Sequence, residues 1–138
     1  MKVLVDTSVW SLVLRRRFPL RDDAVADELK RLILNYRVVM IGPIRQELLS
    51  GIRTLEQYEG LRDKLRAFPD LRLHSDDYEL AVQFFNQCRA RGVQGSNTDF
   101  LICAVASRRN TTVFSTDRDF DAYQRVLQVR RHQAGDIS

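Results

Sequence analysis

The chain has 138 residues, 44% of them hydrophobic, which suffices for one buried core and is too short for two ordinary domains, so a single domain over 1–138 is expected. No stretch approaches the roughly 18 consecutive apolar residues of a membrane span, and Lys2 leads straight into a strand-like run without a signal-peptide pattern, so a cytoplasmic protein is expected. The formal charge of +4 rests mainly on arginine, since only Lys2, Lys30 and Lys64 among 22 basic residues are lysine; this suits bidentate contact with phosphate but does not by itself define a patch.

Lys2–Asp6 (KVLVD) is an apolar run closed by an acid, the pattern of a strand covered on both faces in a parallel sheet. Thr7 and Ser8 are placed to cap a helix from Val9 to about Arg15, which the stretch Arg15-Arg16-Arg17-Phe18-Pro19 breaks. Asp22 or Asp23 caps a second helix, with Val25, Leu29, Leu32 and Ile33 on one face, before a second buried strand at Arg37–Ile41. Gly42-Pro43 opens a helix that carries Glu47 and ends at Gly51. Thr54 with Gln57 is a capping-box pattern for the helix of Leu55, Tyr58, Leu61, Leu65 and Phe68, and Pro69-Asp70 leads into a short third strand, Leu71–His74. Asp76 with Glu79 repeats the pattern ahead of a long helix that buries Leu80, Ala81, Phe84, Phe85 and Cys88 and ends near Gly92. After a loop at Val93–Asn97, Thr98 caps a nearly all-apolar helix, Asp99–Arg109. Thr112–Ser115 is a fourth strand, Asp117–Arg125 a short helix or turn, Val126–Val129 a last strand and Arg130–Ser138 a polar tail.

Strands alternating with helices require crossover connections, so the expected fold is a three-layer α/β/α arrangement around a mainly parallel sheet of four to five strands. Ligands of such sheets bind beyond the carboxyl ends of the strands. Asp6 ends the first strand, Asp117 follows the fourth, Asp99 opens a helix and Glu47 lies about one turn into another, so all four share that rim. Singly, each has an ordinary explanation: Asp6 as a cap, Asp99 as a first-turn dipole partner, Glu47 on a solvated face, Asp117 in a polar turn. Together they repel one another and need a cation to remain ionised. Carboxylates with neither Cys nor His suit magnesium, with manganese as substitute, and the chemistry such a site supports is phosphodiester hydrolysis.

Other chemistries lack their residues. Cys88 and Cys103 lie in apolar helical stretches as small buried thiols, and His74 and His132 join no zinc-type spacing. Neither G-x-G-x-x-G nor G-x-x-x-x-G-K-[ST] follows a strand, so no nucleotide cofactor is expected. A haloacid-dehalogenase-type phosphotransferase needs a second Asp two residues after the first, where Ser8 stands.

The segments V-D-T-S at 5–8, R-Q-E-L-L-S-G at 45–51, N-T-D-F-L-I-C-A at 97–104 and S-T-D-R-D-F at 115–120 together resemble the VapC-type PIN domains, nearly over the whole chain and in the family's order. The resemblance implies a metal-dependent endoribonuclease, usually homodimeric, that acts as the toxin of a toxin–antitoxin pair and is held in check by a VapB-type antitoxin. It maps the family's metal ligands onto Asp6, Glu47, Asp99 and Asp117, with Asp119 as the alternative fourth acid. Thr7, Ser8, Ser115 and Thr116 become hydroxyl neighbours that orient carboxylates or waters.

RNA would be held by arginines near the acids, for which Arg15, Arg16, Arg17, Arg45, Arg91 and Arg118 are candidates. The antitoxin is expected against apolar surface of the Val9–Leu14 and Leu55–Phe68 helices, Trp10 included. The alternative reading is a PIN-fold RNA-binding or scaffold module without turnover.

Overall fold

Val3–Val5 form strand β1, and all three side chains are fully buried although successive residues point to opposite faces, so both faces of this strand are covered. The computed structural model describes residues 1–14 and 24–133. The Arg15–Arg17 run, the break at Pro19, the cap at Asp22 or Asp23 and the tail beyond Gln133 lie outside the described residues.

From β1 the chain runs through helices α1 (Thr7–Leu14) and α2 (Ala24–Leu34) to strand β2 (Val38–Val39), then through α3 (Gly42–Leu49), α4 (Leu55–Leu65), α5 (Ser75–Ala90) and α6 (Asn97–Arg108) to strand β3 (Thr112–Phe114) and helix α7 (Asp119–Gln124). The sheet order is β2-β1-β3, parallel throughout, with Val3 opposite both Val38 and Thr112 and Val5 opposite Phe114. The first crossover therefore leaves β1 on one side and the later return to β3 comes on the other. That reversal makes the carboxyl end of β1 a topological switch point, where open α/β sheets form their crevice.

The expected four to five strands are three among the described residues. The segment after Pro69 meets the sheet only through a Met40–Asp70 bridge, with the Leu71 N–H donating to the Met40 carbonyl at 2.8 Å, and Leu71–His74 is not a strand. Val126–Val129 is not a strand either; the chain pairs later and more briefly, at a Val113–Arg131 bridge. Each segment alternates or clusters apolar residues as an edge strand does, but Leu71, Leu73, Leu127 and Val129 pack onto the core without a ladder beside them. The sequence shows the burial, and burial alone does not require paired backbone.

Helix starts follow their caps. The Thr54 hydroxyl accepts from the Gln57 N–H, as the pattern predicts. At α6 the cap is Ser96, whose hydroxyl accepts from the Asp99 N–H at 3.0 Å, so the helix begins at Asn97 rather than after Thr98. At α5 the pair is His74 and Asp77, with the Asp77 carboxylate accepting from the His74 N–H at 2.8 Å, not Asp76 and Glu79. Burial would raise the Asp77 pKa, but that N–H, Arg108 and Arg109 together hold its carboxyl below the ordinary value. Asp77 thus ties the start of α5 to the end of α6, the helix pair that packs over the sheet.

Two surface assignments change. Trp10 is 2% exposed and stands edge-on to Phe68 at 5.1 Å, so it belongs to the core rather than to a docking face. Arg131 and His132, placed in a polar tail by the sequence, are anchored: Arg131 donates to the Ser115 carbonyl at 2.7 Å, and the buried His132 ring lies 2.6 Å from Glu28.

Candidate metal centre

Asp6 leaves the end of the central strand and its backbone is fixed there, its N–H donating to the Phe114 carbonyl of β3 at 2.9 Å. The side chain is 5% exposed, and its Oδ2 accepts from the Ser8 hydroxyl at 2.7 Å and the Ser115 hydroxyl at 2.8 Å. Oδ1 has no protein partner among the described residues, which leaves one oxygen available while the other is held. The Ser8 hydroxyl also accepts from the Thr116 N–H, and the Ser115 hydroxyl from the Asp117 N–H, both at 3.0 Å. These two hydroxyls fasten the strand that ends in Asp6 to the loop that carries Asp117.

Asp117 in turn accepts from the Asp119 N–H at 2.9 Å, an Asx-type turn that starts α7. Carboxylate oxygens of Asp99, Asp117 and Asp119 lie within 4.8 Å of one another. The sequence left Asp117 and Asp119 as alternatives; the structure brings both to Asp99. Glu47, exposed on α3, stands outside that trio, and its Oε1 accepts from the Thr7 hydroxyl at 3.0 Å, which links it to the residue beside Asp6. The Thr116 side chain is exposed, and the contact described for this residue is its backbone N–H.

Charge in this cleft is unbalanced. None of Asp6, Glu47, Asp99, Asp117 and Asp119 has an ion-pair partner among the described residues. Burial raises the Asp99 pKa first, the Tyr123 hydrogen bond opposes it, and the negative charges of Asp6 and Asp117 add to the rise. Concentrated carboxylates with no ion-paired cation among the described residues, carrying oxygen donors and one free oxygen on Asp6, fit a hard divalent ion. Burial and the charges of Asp99, Cys88 and Asp6 push the Cys103 thiol far up, so it stays protonated and is no nucleophile.

Three contributors escaped the sequence reading. Tyr123 donates its hydroxyl to Asp99 Oδ2 at 2.6 Å, and the phenol is pushed up by burial and by Asp99, so it remains a donor. Arg131 bridges Asp121 and the Ser115 carbonyl, clamping the loop of Asp117. Ser96 fixes the backbone of Asp99. Ser96 stands three residues before Asp99 in an S-x-x-D capping pattern that could have marked it, whereas Tyr123 and Arg131 lie 24 and 16 residues from Asp99 and Ser115, and no local motif announces them. Arg45, by contrast, is engaged within the protein: it pairs with Asp70 and donates to the Leu65 and Phe68 carbonyls at the end of α4.

With this geometry in place, the family model described as PIN domain matches residues 3–126. The chain is similar in structure to FitAcB from Neisseria gonorrhoeae, at 21% identity over 98% of this chain and 99% of that one, with a TM-score of 0.75. VapBC2 from Rickettsia felis, bound to a DNA fragment from their promoter, is similar at 16% identity, 96% and 98% coverage and a TM-score of 0.74. VapBC-5 from Mycobacterium tuberculosis, a member of the VapBC family of toxin-antitoxin systems, is similar at 20% identity, 96% and 100% coverage and a TM-score of 0.65. At these identities the structural likeness establishes the fold. No curated protein matches the chain by sequence.

Proposed function

Because this chain belongs to the PIN domain family, we propose that it is a magnesium-dependent endoribonuclease and the toxin of a VapC-type toxin–antitoxin pair. The observation that carries this reading is the gathering of Asp99, Asp117 and Asp119, with Asp6 beside them, at the switch point of a parallel sheet and without a neutralising side chain among the described residues. Asp6, Glu47, Asp99 and Asp117 would hold the ion, with Asp119 as a further donor. The ion, when bound, supplies positive charge at the phosphoryl oxygens and a water of lowered pKa as nucleophile. The protein's residues do the positioning. Ser8 and Ser115 hold one Asp6 oxygen so that the other is presented, and Thr7 holds Glu47 against the same rim.

Exposed Arg91 and Arg118 form no ion pair among the described residues and are the remaining described candidates for RNA phosphate contact. The similar structures are complexes of the VapBC and FitAB kind, which supports a VapB-type antitoxin as partner. Its place would be the groove of about 570 Å³ between α1, α3 and α4, lined by Leu14, Leu48, Ile52, Leu61 and Lys64. Manganese would replace magnesium, and a homodimer is the proposed assembly. No helix among the described residues is long and apolar enough to cross a membrane.

The test is RNA cleavage by the purified protein in magnesium. Loss of cutting in EDTA, and a fall of about 100-fold or more in Asp6→Asn at unchanged thermal stability, supports the reading. Cutting that persists in EDTA rejects the metal mechanism, and tight RNA binding with no cutting favours the scaffold alternative.

A further inference from the structure

Tyr123 is fully buried, yet it carries a hydroxyl. A buried phenol is usually satisfied by a nearby backbone carbonyl or by water, but here the bond goes to Asp99 Oδ2, at 2.6 Å and 24 residues earlier in the chain. The ring leaves little freedom for another choice, being packed between Phe100 at 5.0 Å and Phe120 at 5.1 Å. The hydroxyl end is confined by Gly95. A Cβ on that residue would fall inside contact distance of the hydroxyl and lie 2.8 Å from ring carbons Cε1 and Cζ. The backbone of Gly95 does not occupy the left-handed region, so its small size rather than its flexibility is what the position requires.

Tyr123 also stands four residues beyond Asp119 on α7, the helix that the Asp117 loop begins. Its bond therefore joins the α6 acid to the segment carrying the other two acids. We propose that Tyr123, admitted by Gly95, is a positioning residue that fixes the orientation of Asp99 and its spacing from Asp117 and Asp119 for divalent-ion binding. A carboxylate held at one oxygen loses rotation about its terminal torsion and keeps the second oxygen for a ligand, an arrangement Ser8 and Ser115 repeat on Asp6. The inference rests on the reading of this cluster as a metal centre.

The experiment is a manganese titration of the full-length protein followed by the electron paramagnetic resonance signal of the free ion, with wild type, Asp99→Asn, Tyr123→Phe and Gly95→Ala side by side. Tyr123→Phe keeps the ring in its aromatic packing, and Gly95→Ala keeps the phenol but crowds it off Asp99. Both are expected to weaken manganese binding by about tenfold or more; the metal-free melting temperature of Tyr123→Phe stays near wild type, whereas that of Gly95→Ala is lowered by the crowding. Affinities within twofold of wild type, in a protein whose binding Asp99→Asn abolishes, overturn the role of Tyr123 and leave the metal centre standing. A wild type that takes up no manganese overturns both.

Discussion

Two aspartates show how environment divides one side-chain type into different tasks. Asp77 is fully buried with two guanidiniums and a backbone N–H on it, and its pKa is lowered despite the burial. A depressed folded pKa stabilises above the unfolded value and the contribution is lost as pH falls through the folded one. Asp77→Asn is therefore expected to cost about 3 kcal/mol at neutral pH by leaving Arg108 and Arg109 without their anion. In urea melts the gap to wild type should narrow from about pH 4 downward, and a pH-independent gap would contradict the ion-pair account. Asp99 has the opposite sign: burial and neighbouring carboxylates raise its pKa, so its stabilising protonated form is lost as pH rises through that value. Metal-free Asp99→Asn should melt higher than wild type at neutral pH and lose that advantage in acid, where the wild-type carboxyl is protonated. An Asn variant that melts lower at neutral pH would show that Asp99 is not under electrostatic load. Of this, only the repulsion among the acids was legible in the sequence, where Asp77 lies in an ordinary capping pattern and nothing marks the burial of Asp99.

At the scale of elements, the helices and the three paired strands were readable because strong periodicity and capping residues punctuate the chain, from the apolar Val3–Val5 run to the buried Phe100–Ala106 run of α6, whereas the strands expected at Leu71–His74 and Val126–Val129 did not form. Cap registers were less so, since Ser96, Asn97 and Thr98 all suit a cap and Asp76 and Asp77 offer the same chemistry one residue apart. The tertiary partner decides: Asp77, not Asp76, points to both Arg108 and Arg109. Arg45 was similarly ambiguous. From α3 it satisfies carbonyls at the end of α4, where helices leave acceptors unpaired. Arg45→Ala is expected to lower stability by about 2 kcal/mol with little change in RNA affinity. A filter-binding loss of RNA affinity without a stability change would return Arg45 to the nucleic-acid surface. Sequence could not separate these roles, because the carbonyls it serves are 20 and 23 residues away.

For the whole molecule, the shared rim of acids was legible because strand ends and helix starts define it, whereas the fastening of that rim was not. Ser8 to Ser115, Tyr123 to Asp99 and Arg131 to Ser115 all cross between elements, and together they make the carboxyl edge of the sheet a fixed frame. The groove proposed for an antitoxin lies on α1, α3 and α4, and Leu61→Glu within it is expected to weaken binding of such a partner by at least about tenfold, as a charge buried without a partner should. Manganese uptake should be unchanged in that variant. Unaltered antitoxin affinity would place the partner elsewhere.

Under the proposed function this frame holds a metal ion that cuts RNA, and the experiment is to incubate a structured RNA pool with the purified protein in magnesium, in manganese and in EDTA, beside an Asp99→Asn variant shown to be folded. Cleavage in both metals, none in EDTA, and a loss of about 100-fold or more in the variant is the expected result. Equal cleavage by wild type and Asp99→Asn, or cleavage undiminished in EDTA, would contradict it.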